Sequence, residues 1–300
     1  MSRIVNIGLV QMSCVDDVEA NFDAAIGGIR EAAERGAQIV CLQELFKSRY
    51  FPLVVDRKYF SLAEAVNADS PSIRQLGEVA AEMEIVIISS HFEKRATGLF
   101  HNTAVAIDAD GSYLGKYRKM HIPDDPLYYE KFYFTPGDLG YKCFSTRYAE
   151  VGVLVCWDQW FPEAARLTAL RGAEIIFIPT AIGFTSEALS PSGDDYPQSW
   201  QIVQQGHAAA NVCYLAAVNR VGHEENQAGE GGILFWGQSF IADPNGIVVA
   251  KASAEQPEVL VHPVDLDRIK EIRDAYCYPF RDRRVDSYAG LSELYIDDSH

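Results

Sequence analysis

The six residues Arg35-Gly36-Ala37-Gln38-Ile39-Val40 return, conservatively changed, as Arg171-Gly172-Ala173-Glu174-Ile175-Ile176. A second pair follows in the same order: Ile107-Asp108-Ala109-Asp110-Gly111 and Ile241-Ala242-Asp243-Pro244-Asn245-Gly246. The first pair reads as a helix stopped by glycine and followed by a buried strand, the second as a tight hairpin turn. Such turns recur in many proteins, so two short matches also arise by chance; their common order is read here as an internal duplication. A duplicated chain is tightly constrained, because each half must present the same elements in the same order.

The elements alternate accordingly. In the first half, Ile4–Gln11, Gln38–Gln43 and Ile85–Glu93 read as strands, and Val18–Arg35 and Pro71–Glu84 as helices. Asn102–Ile107 and Tyr113–Lys119 form a hairpin around Asp110-Gly111. In the second half, Val151–Trp157, Glu174–Pro179 and Tyr214–Arg220 read as strands, Pro162–Arg171 and 197–210 as helices. Ser239–Asp243 and Ile247–Lys251 form the matching hairpin around Asn245-Gly246. Each half then supplies a sheet with helices on one face, and the bare faces bury one another. The expected fold is α/β: a four-layer α-β-β-α sandwich of two mixed sheets with an internal pseudo-twofold repeat. No Pro/Gly/Ser-rich linker divides the halves, so residues 1–291 are expected to form a single domain, with 292–300 a flexible tail. The segment 184–195 is the best flexible loop. Leu266–Ala275 reads as a short helix, and the basic run 281–284 as part of a tail packed on its own domain or on a neighbour.

Composition narrows the functional classes. Across 300 residues, 48% are hydrophobic, enough for a substantial core and far from disorder. The net charge of −16 argues against nucleic acid and anionic membranes as partners. The longest apolar runs fall short of the roughly 20 residues that span a bilayer. The start Met1-Ser2-Arg3 carries no secretory pattern, so a cytoplasmic protein is expected. Cys14, Cys41, Cys143, Cys156, Cys213 and Cys277 show no paired ligand spacing. They are expected to be free thiols, with neither metal nor cofactor.

Three ionisable residues fall at strand ends, where ligands gather in α/β architectures. Glu44 follows Gln43, Lys119 ends its strand, and Cys156 ends Val151–Val155. Taken singly, each has an ordinary reading: a solvated carboxylate, a surface cation, a buried thiol. Cys156 stands out because its strand passes at once into a helix beginning near Pro162, the pattern of a nucleophile elbow. Together the three make a chemically complete set of thiol nucleophile, carboxylate base and ammonium for a developing oxyanion.

The segments Leu42-Gln43-Glu44-Leu45-Phe46, Tyr117-Arg118-Lys119-Met120-His121-Ile122-Pro123 and Val155-Cys156-Trp157-Asp158-Gln159-Trp160-Phe161-Pro162-Glu163 resemble the three signature blocks of the nitrilase superfamily. The likeness extends through 130–138, 179–183, 205–211 and 281–284, nearly the whole chain. It looks most similar to the N-carbamoylputrescine amidase branch. The resemblance implies Glu44 as base, Lys119 as oxyanion stabiliser and Cys156 as nucleophile; in the elbow reading, the Trp157 backbone N–H is expected to be a second oxyanion donor. Glu130 matches the second glutamate that orients Lys119 and the substrate. It also implies a small carbamoyl or amide substrate, hydrolysis through a thioester, no cofactor, and a homo-oligomer. Asp124, Asp125, Asp158, Asp194 and Asp195 are candidates for meeting a terminal ammonium. Tyr50, Tyr128, Trp160, Ala181 and Phe184 are candidates for lining the channel. Lys47, Arg49 and Arg95 would serve a carboxylated substrate instead, as in an N-carbamoyl amino-acid amidohydrolase or an ω-amidase. The stretch 124–129 and the loop 184–198 depart from the branch pattern, which leaves the distal end of the substrate open.

Overall fold

The computed structural model describes residues 2–185, 196–226, 229, 231–276 and 279–296. The first half runs β1 (Ile4–Gln11), α1 (Val18–Glu34), β2 (Ile39–Leu42), α2 (Pro71–Met83), β3 (Val86–Ala96), β4 (Leu99–Ile107) and β5 (Tyr113–Arg118). A connecting stretch holds the one-turn helix α3 (Glu130–Tyr133) and β6 (Lys142–Ser145). The second half runs β7 (Glu150–Val153), α4 (Pro162–Leu170), β8 (Ile175–Pro179), β9 (Gly183–Thr185), α5 (Tyr196–Asn211) and β10 (Tyr214–Val218). It continues with β11 (Val221–Glu225), β12 (Gly232–Trp236), β13 (Phe240–Ala242), β14 (Val248–Lys251), β15 (Glu258–Asp265) and α6 (Asp267–Tyr276).

Two six-stranded sheets result, ordered β15-β1-β2-β3-β4-β5 and β14-β13-β10-β8-β7-β6. In the first, β1, β2 and β3 are mutually parallel and β4 and β5 follow antiparallel. In the second, β7, β8 and β10 are parallel and β13 and β14 antiparallel. The strand orders and directions match, so the duplication read from two short repeats is a duplication of topology.

Period-two alternation builds the layers. Ile7 and Leu9 of β1, Ile39 and Cys41 of β2 and Val86 and Ile88 of β3 point into a core shared with β7, β8 and β10. Val10, Val40, Leu42 and Ile87 point the other way, onto Phe22, Ala25 and Ile29 of α1 and onto α2. A one-residue slip would exchange the two faces, which pins the register. α1 starts where the Asp17 carboxylate accepts the Glu19 and Ala20 N–H groups, and it stops before Gly36 at φ +89°. α4 repeats the pattern, opening on Pro162 and stopping before Gly172 at φ +103°. The observed order is helix, sheet, sheet, helix, the four-layer sandwich anticipated from the repeat.

The paired hairpins show why glycine is required. Gly111 has φ +84°, and a Cβ there would lie 2.5 Å from the Gly77 carbonyl oxygen of α2. Gly246, its counterpart, has φ +79° and a Cβ site 2.7 Å from the Gln205 carbonyl oxygen of α5. Gly111→Val and Gly246→Val are therefore each expected to cost at least about 2 kcal/mol, combining left-handed strain with a backbone clash. Urea denaturation of the two variants checks this, and equal losses would reflect the equivalence of the two positions.

Two expectations change. The strand read as Val151–Trp157 ends at Val153, because Cys156 adopts φ +44° and begins a 3-10 turn over Cys156–Trp160. β15 was not foreseen; it pairs antiparallel with β1 from Ile4↔Asp265 to Gln11↔Glu258. Pro263 disguises it, yet a proline is tolerated on an edge strand. β9, β11 and β12 add a small third sheet beside the mouth of the site described below. The side chains of Arg281 and Arg284 are exposed and pair locally with Asp282 and Asp286. Phe280 packs on the core under Arg273. Cys277 lies outside the described residues; the other five cysteines are free. Among the described residues, no helix is long and apolar enough to cross a membrane.

Candidate active site

β2, β5 and β7 deliver their C-terminal ends to one place. Glu44 lies just beyond β2; its N–H donates to the carbonyl of Thr180 after β8 (3.4 Å), tying one sheet to the other. Lys119 follows β5, with its N–H on the Asn102 carbonyl (2.9 Å), which continues the β4–β5 ladder. Cys156 follows β7 and sits at the sharp turn into α4. Its left-handed backbone, costly for a residue bearing a Cβ, projects the thiol out of the sheet.

The side chains converge. The Lys119 ammonium donates to Glu44 Oε1 (2.8 Å) and to Glu130 Oε2 (2.6 Å), and all three side chains are fully buried. Tyr50 Oη donates to Glu130 Oε1 (2.6 Å) and Asn102 Nδ2 to Glu44 Oε1 (2.6 Å). Glu44 Oε2 has no hydrogen-bond partner among the described residues. The Cys156 thiol faces the Ala181 carbonyl at 3.9 Å and forms part of the floor of a cavity of about 540 Å³.

Two acids and one ammonium, all buried, set the electrostatics. Burial alone would lower Lys119, but Glu130 and Glu44 outweigh it and hold the ammonium charged. Burial raises Glu130, opposed by Lys119 and reinforced by the charge of Glu44. Burial, with Glu44 next, also pushes the Cys156 thiol well up, against the pull of Lys119. The sulfur therefore rests as a neutral thiol, and a nucleophilic role for it would require a base acting in step with it.

Two buried clamps fix the geometry. Asp158 accepts Tyr117 Oη (2.7 Å), the Val155 N–H (3.0 Å), the His121 N–H (3.0 Å) and His121 Nδ1 (2.7 Å), locking the Cys156 turn to the Lys119 segment. Arg220 donates to the carbonyls of Glu44 and Leu45 (both 3.1 Å) and of Ser48 (2.9 Å), and to Glu224 (2.6 Å). Glu224 in turn accepts the Tyr50 N–H (2.6 Å).

The cavity wall includes Asp125, Tyr128, Trp157, Trp160, Ala181 and Phe184, joined by Tyr196 and Trp236. Tyr128 is fixed by Gly183, donating to its carbonyl (3.1 Å) and accepting its N–H (3.0 Å). Tyr50 is not part of this wall; it is fully buried behind Tyr128 with its hydroxyl on Glu130. Asp158 is likewise no ligand for a substrate ammonium, since both of its oxygens are taken by the clamp. Asp124 is exposed away from the wall, and Asp194 and Asp195 lie outside the described residues. Lys47, Arg49 and Arg95 also stand elsewhere, paired with Glu64, with Asp16 and Glu224, and with Asp138. His207 is packed, its Nε2 against the Gln159 carbonyl (2.8 Å).

Reading the sequence missed Tyr196, Trp236, Asn102 and Arg220. For Asn102 a signal existed, a lone amide in the otherwise largely apolar strand 102–107. Trp236 had none, because an aromatic ending an alternating strand reads as core. Among the described residues, no group of three or more His, Cys, Asp and Glu side chains is arranged to hold a metal ion.

With this geometry in hand, comparison with known proteins is informative. The sequence model of the family described as carbon-nitrogen hydrolase matches residues 6–274. An N-carbamoylputrescine amidase from Solanum tuberosum is 46% identical, over 98% of this chain and 96% of that protein. A citrullinase from Francisella tularensis is 40% identical, over 97% and 99%. The crystal structure of a carbon-nitrogen hydrolase from Helicobacter pylori superposes with a TM-score of 0.92 at 42% identity, covering 98% of this chain and 100% of that one. The chain belongs to the carbon–nitrogen hydrolase family, the nitrilase superfamily that its three motifs resemble.

Proposed function

We propose that the protein hydrolyses N-carbamoylputrescine to putrescine, carbon dioxide and ammonia through a thioester on Cys156. The observation that carries the substrate assignment is the charge of the cavity wall. Asp125 is its one carboxylate among the described residues, and no Lys, Arg or His side chain joins it. Around it stand Tyr128, Trp157, Trp160, Phe184, Tyr196 and Trp236. Aromatic faces and a single acid favour an alkyl chain ending in an ammonium, through cation–π attraction and an ion pair. A carbamoyl amino acid, an ω-amide or citrulline would bring a carboxylate that finds no cationic side chain on this wall.

The chemistry follows from the buried cluster. Nitrogen donation makes a ureido carbonyl a poor electrophile, so sulfur and carbonyl oxygen must be assisted together. Glu44 Oε2 takes the thiol proton as Cys156 attacks. Lys119 and the Trp157 N–H receive the developing oxyanion, each such donor contributing roughly 2.7–4 kcal/mol to the transition state. Glu44 returns the proton to the departing nitrogen, leaving a thioester, and then deprotonates the water that hydrolyses it. Glu130, held by Tyr50, keeps the Lys119 ammonium in place. The carbamic acid released decomposes to carbon dioxide and ammonia.

Ammonia release from N-carbamoylputrescine, citrulline, an N-carbamoyl amino acid and an ω-amide tests the assignment. The expected result is the highest kcat/KM for N-carbamoylputrescine; preference for a carboxylated substrate overturns it, and no release from any of them favours a non-catalytic binding protein. Asp125→Asn is expected to raise KM for N-carbamoylputrescine about five- to tenfold with kcat nearly unchanged, because the lost contact serves binding rather than the chemical step.

A further inference from the structure

We infer that Asn102 is a positioning residue that selects which oxygen of Glu44 acts as the base. This rests on Glu44 being the base, as proposed above, and adds the group that aims it.

Asn102 is fully buried on β4 and is not part of the cavity wall, so it acts through another residue. Its Nδ2 donates to Glu44 Oε1 (2.6 Å), while its Oδ1 accepts Ser90 Oγ (3.2 Å). Ser90 Oγ in turn accepts the N–H of Leu45 (3.2 Å), the residue after Glu44, whose φ is +49°. The contacts close a ring from the Glu44 backbone through Leu45, Ser90 and Asn102 to the Glu44 carboxylate. The amide orientation is dictated by chemistry: an ionised carboxylate only accepts, so the NH2 group must face it, and the Ser90 hydroxyl supplies the proton for Oδ1. The Asn102 carbonyl also accepts the Lys119 N–H (2.9 Å), so one residue spaces both members of the acid–ammonium pair.

The consequence lies in how the carboxylate oxygens are shared. Lys119 Nζ and Asn102 Nδ2 both donate to Oε1, and Oε2 has no partner among the described residues. A carboxylate pinned at one oxygen by two donors cannot turn about its last torsion, and it presents the free oxygen in one direction. Without Asn102 the Lys119 ammonium is free to bridge both oxygens, occupying the lone pairs that the thiol proton needs. The Asn102 N–H is one of two donors on Oε1, so its removal takes away a contact that favours the charged carboxylate.

The test compares wild type, Asn102→Leu, Asn102→Asp and Ser90→Ala, with Glu44→Gln as the reference for the underlying reading. Two pH profiles are recorded: kcat/KM for ammonia release from N-carbamoylputrescine, and the rate of Cys156 alkylation by iodoacetamide, which needs no substrate. Asn102→Leu is expected to lower kcat about tenfold or more with KM little changed, and to move the acidic limb of both profiles up by about one unit. Asn102→Asp should move it further, because a second carboxylate then faces Glu44. Ser90→Ala, which keeps the amide but loosens it, should shift the limb in the same direction by less. If Asn102→Leu does not fold, the Asn102→Asp and Ser90→Ala shifts decide. Profiles unchanged in position, or activity falling only in step with melting temperature, would overturn the inference while leaving Glu44 as base. Full activity in Glu44→Gln would overturn the reading beneath it.

Discussion

Replacing Cys156 with alanine is expected to abolish turnover, lowering kcat by at least about 10⁴-fold while the protein stays folded. The thiol is the one cysteine on the cavity wall among the described residues, in the field of Glu44, Lys119 and Glu130. Its neighbours cannot replace it: the Tyr128 hydroxyl is engaged by Gly183, and burial raises it further from ionisation. The fold should survive because the backbone strain at φ +44° is borne by contacts that do not involve sulfur. Asp158 anchors the turn through Val155, Tyr117 and His121, all of which remain in the variant. Loss of one buried sulfur costs about 1 kcal/mol, a shift of a few degrees in Tm. Calorimetry and an ammonia-release assay on the same preparation separate the two effects, and appreciable turnover in a folded Cys156→Ala protein would refute the assignment.

Lys119→Met should be more damaging to the whole molecule. The wild-type ammonium lies between two carboxylates that, among the described residues, have no other cation within hydrogen-bond reach. Methionine keeps the stem and removes the charge, leaving Glu44 and Glu130 facing each other in a buried site. Breaking a buried pair in this way costs roughly 3–5 kcal/mol, and the proposed oxyanion donor is lost with it. The sign of the pH dependence follows. Without the ammonium Glu130 retains its proton more strongly in the folded state than in the unfolded chain, since burial already raises it and Lys119 opposes that rise in the wild type. Such a group favours folding at low pH and withdraws that support as pH rises through its folded value. The stability difference between wild type and Lys119→Met should therefore widen from pH 5 to pH 8. Urea denaturation across that range checks it; a constant difference would mean that Glu130 does not bear the loss.

What could be read from sequence alone was set by strand ends and repeats. The convergence of Glu44, Lys119 and Cys156 was legible because each follows a strand at a point where α/β sheets open to ligands. The sandwich was legible because Gly36 and Gly172, and Gly111 and Gly246, punctuate both halves alike. Other features left no local trace. β15 escaped notice because its role as an edge partner of β1 is a long-range pairing, and Pro263 argued against a strand. Asp158 looked available to a substrate because a pattern of residue types does not reveal which side of a turn a carboxylate faces; in the folded protein it is the pin of that turn. Tyr50 was assigned to the channel because an aromatic ring reads the same whether it lines a cavity or supports the groups behind it. Trp236 and Tyr196 reach the wall only through the small third sheet and the start of α5. Arg220 acts on loop carbonyls, a role that no residue pattern announces.

The central claim is that a covalent bond forms at Cys156 during turnover. Rapid acid quenching of the wild-type protein with N-carbamoylputrescine, followed by peptide mass mapping with and without hydroxylamine as a competing acceptor, tests it most directly. The account predicts a carbamoyl-type adduct on the peptide carrying Cys156, absent from Cys156→Ala and discharged faster by hydroxylamine. Turnover with the adduct on another residue, or with no adduct at any time point and no interception by hydroxylamine, would contradict it.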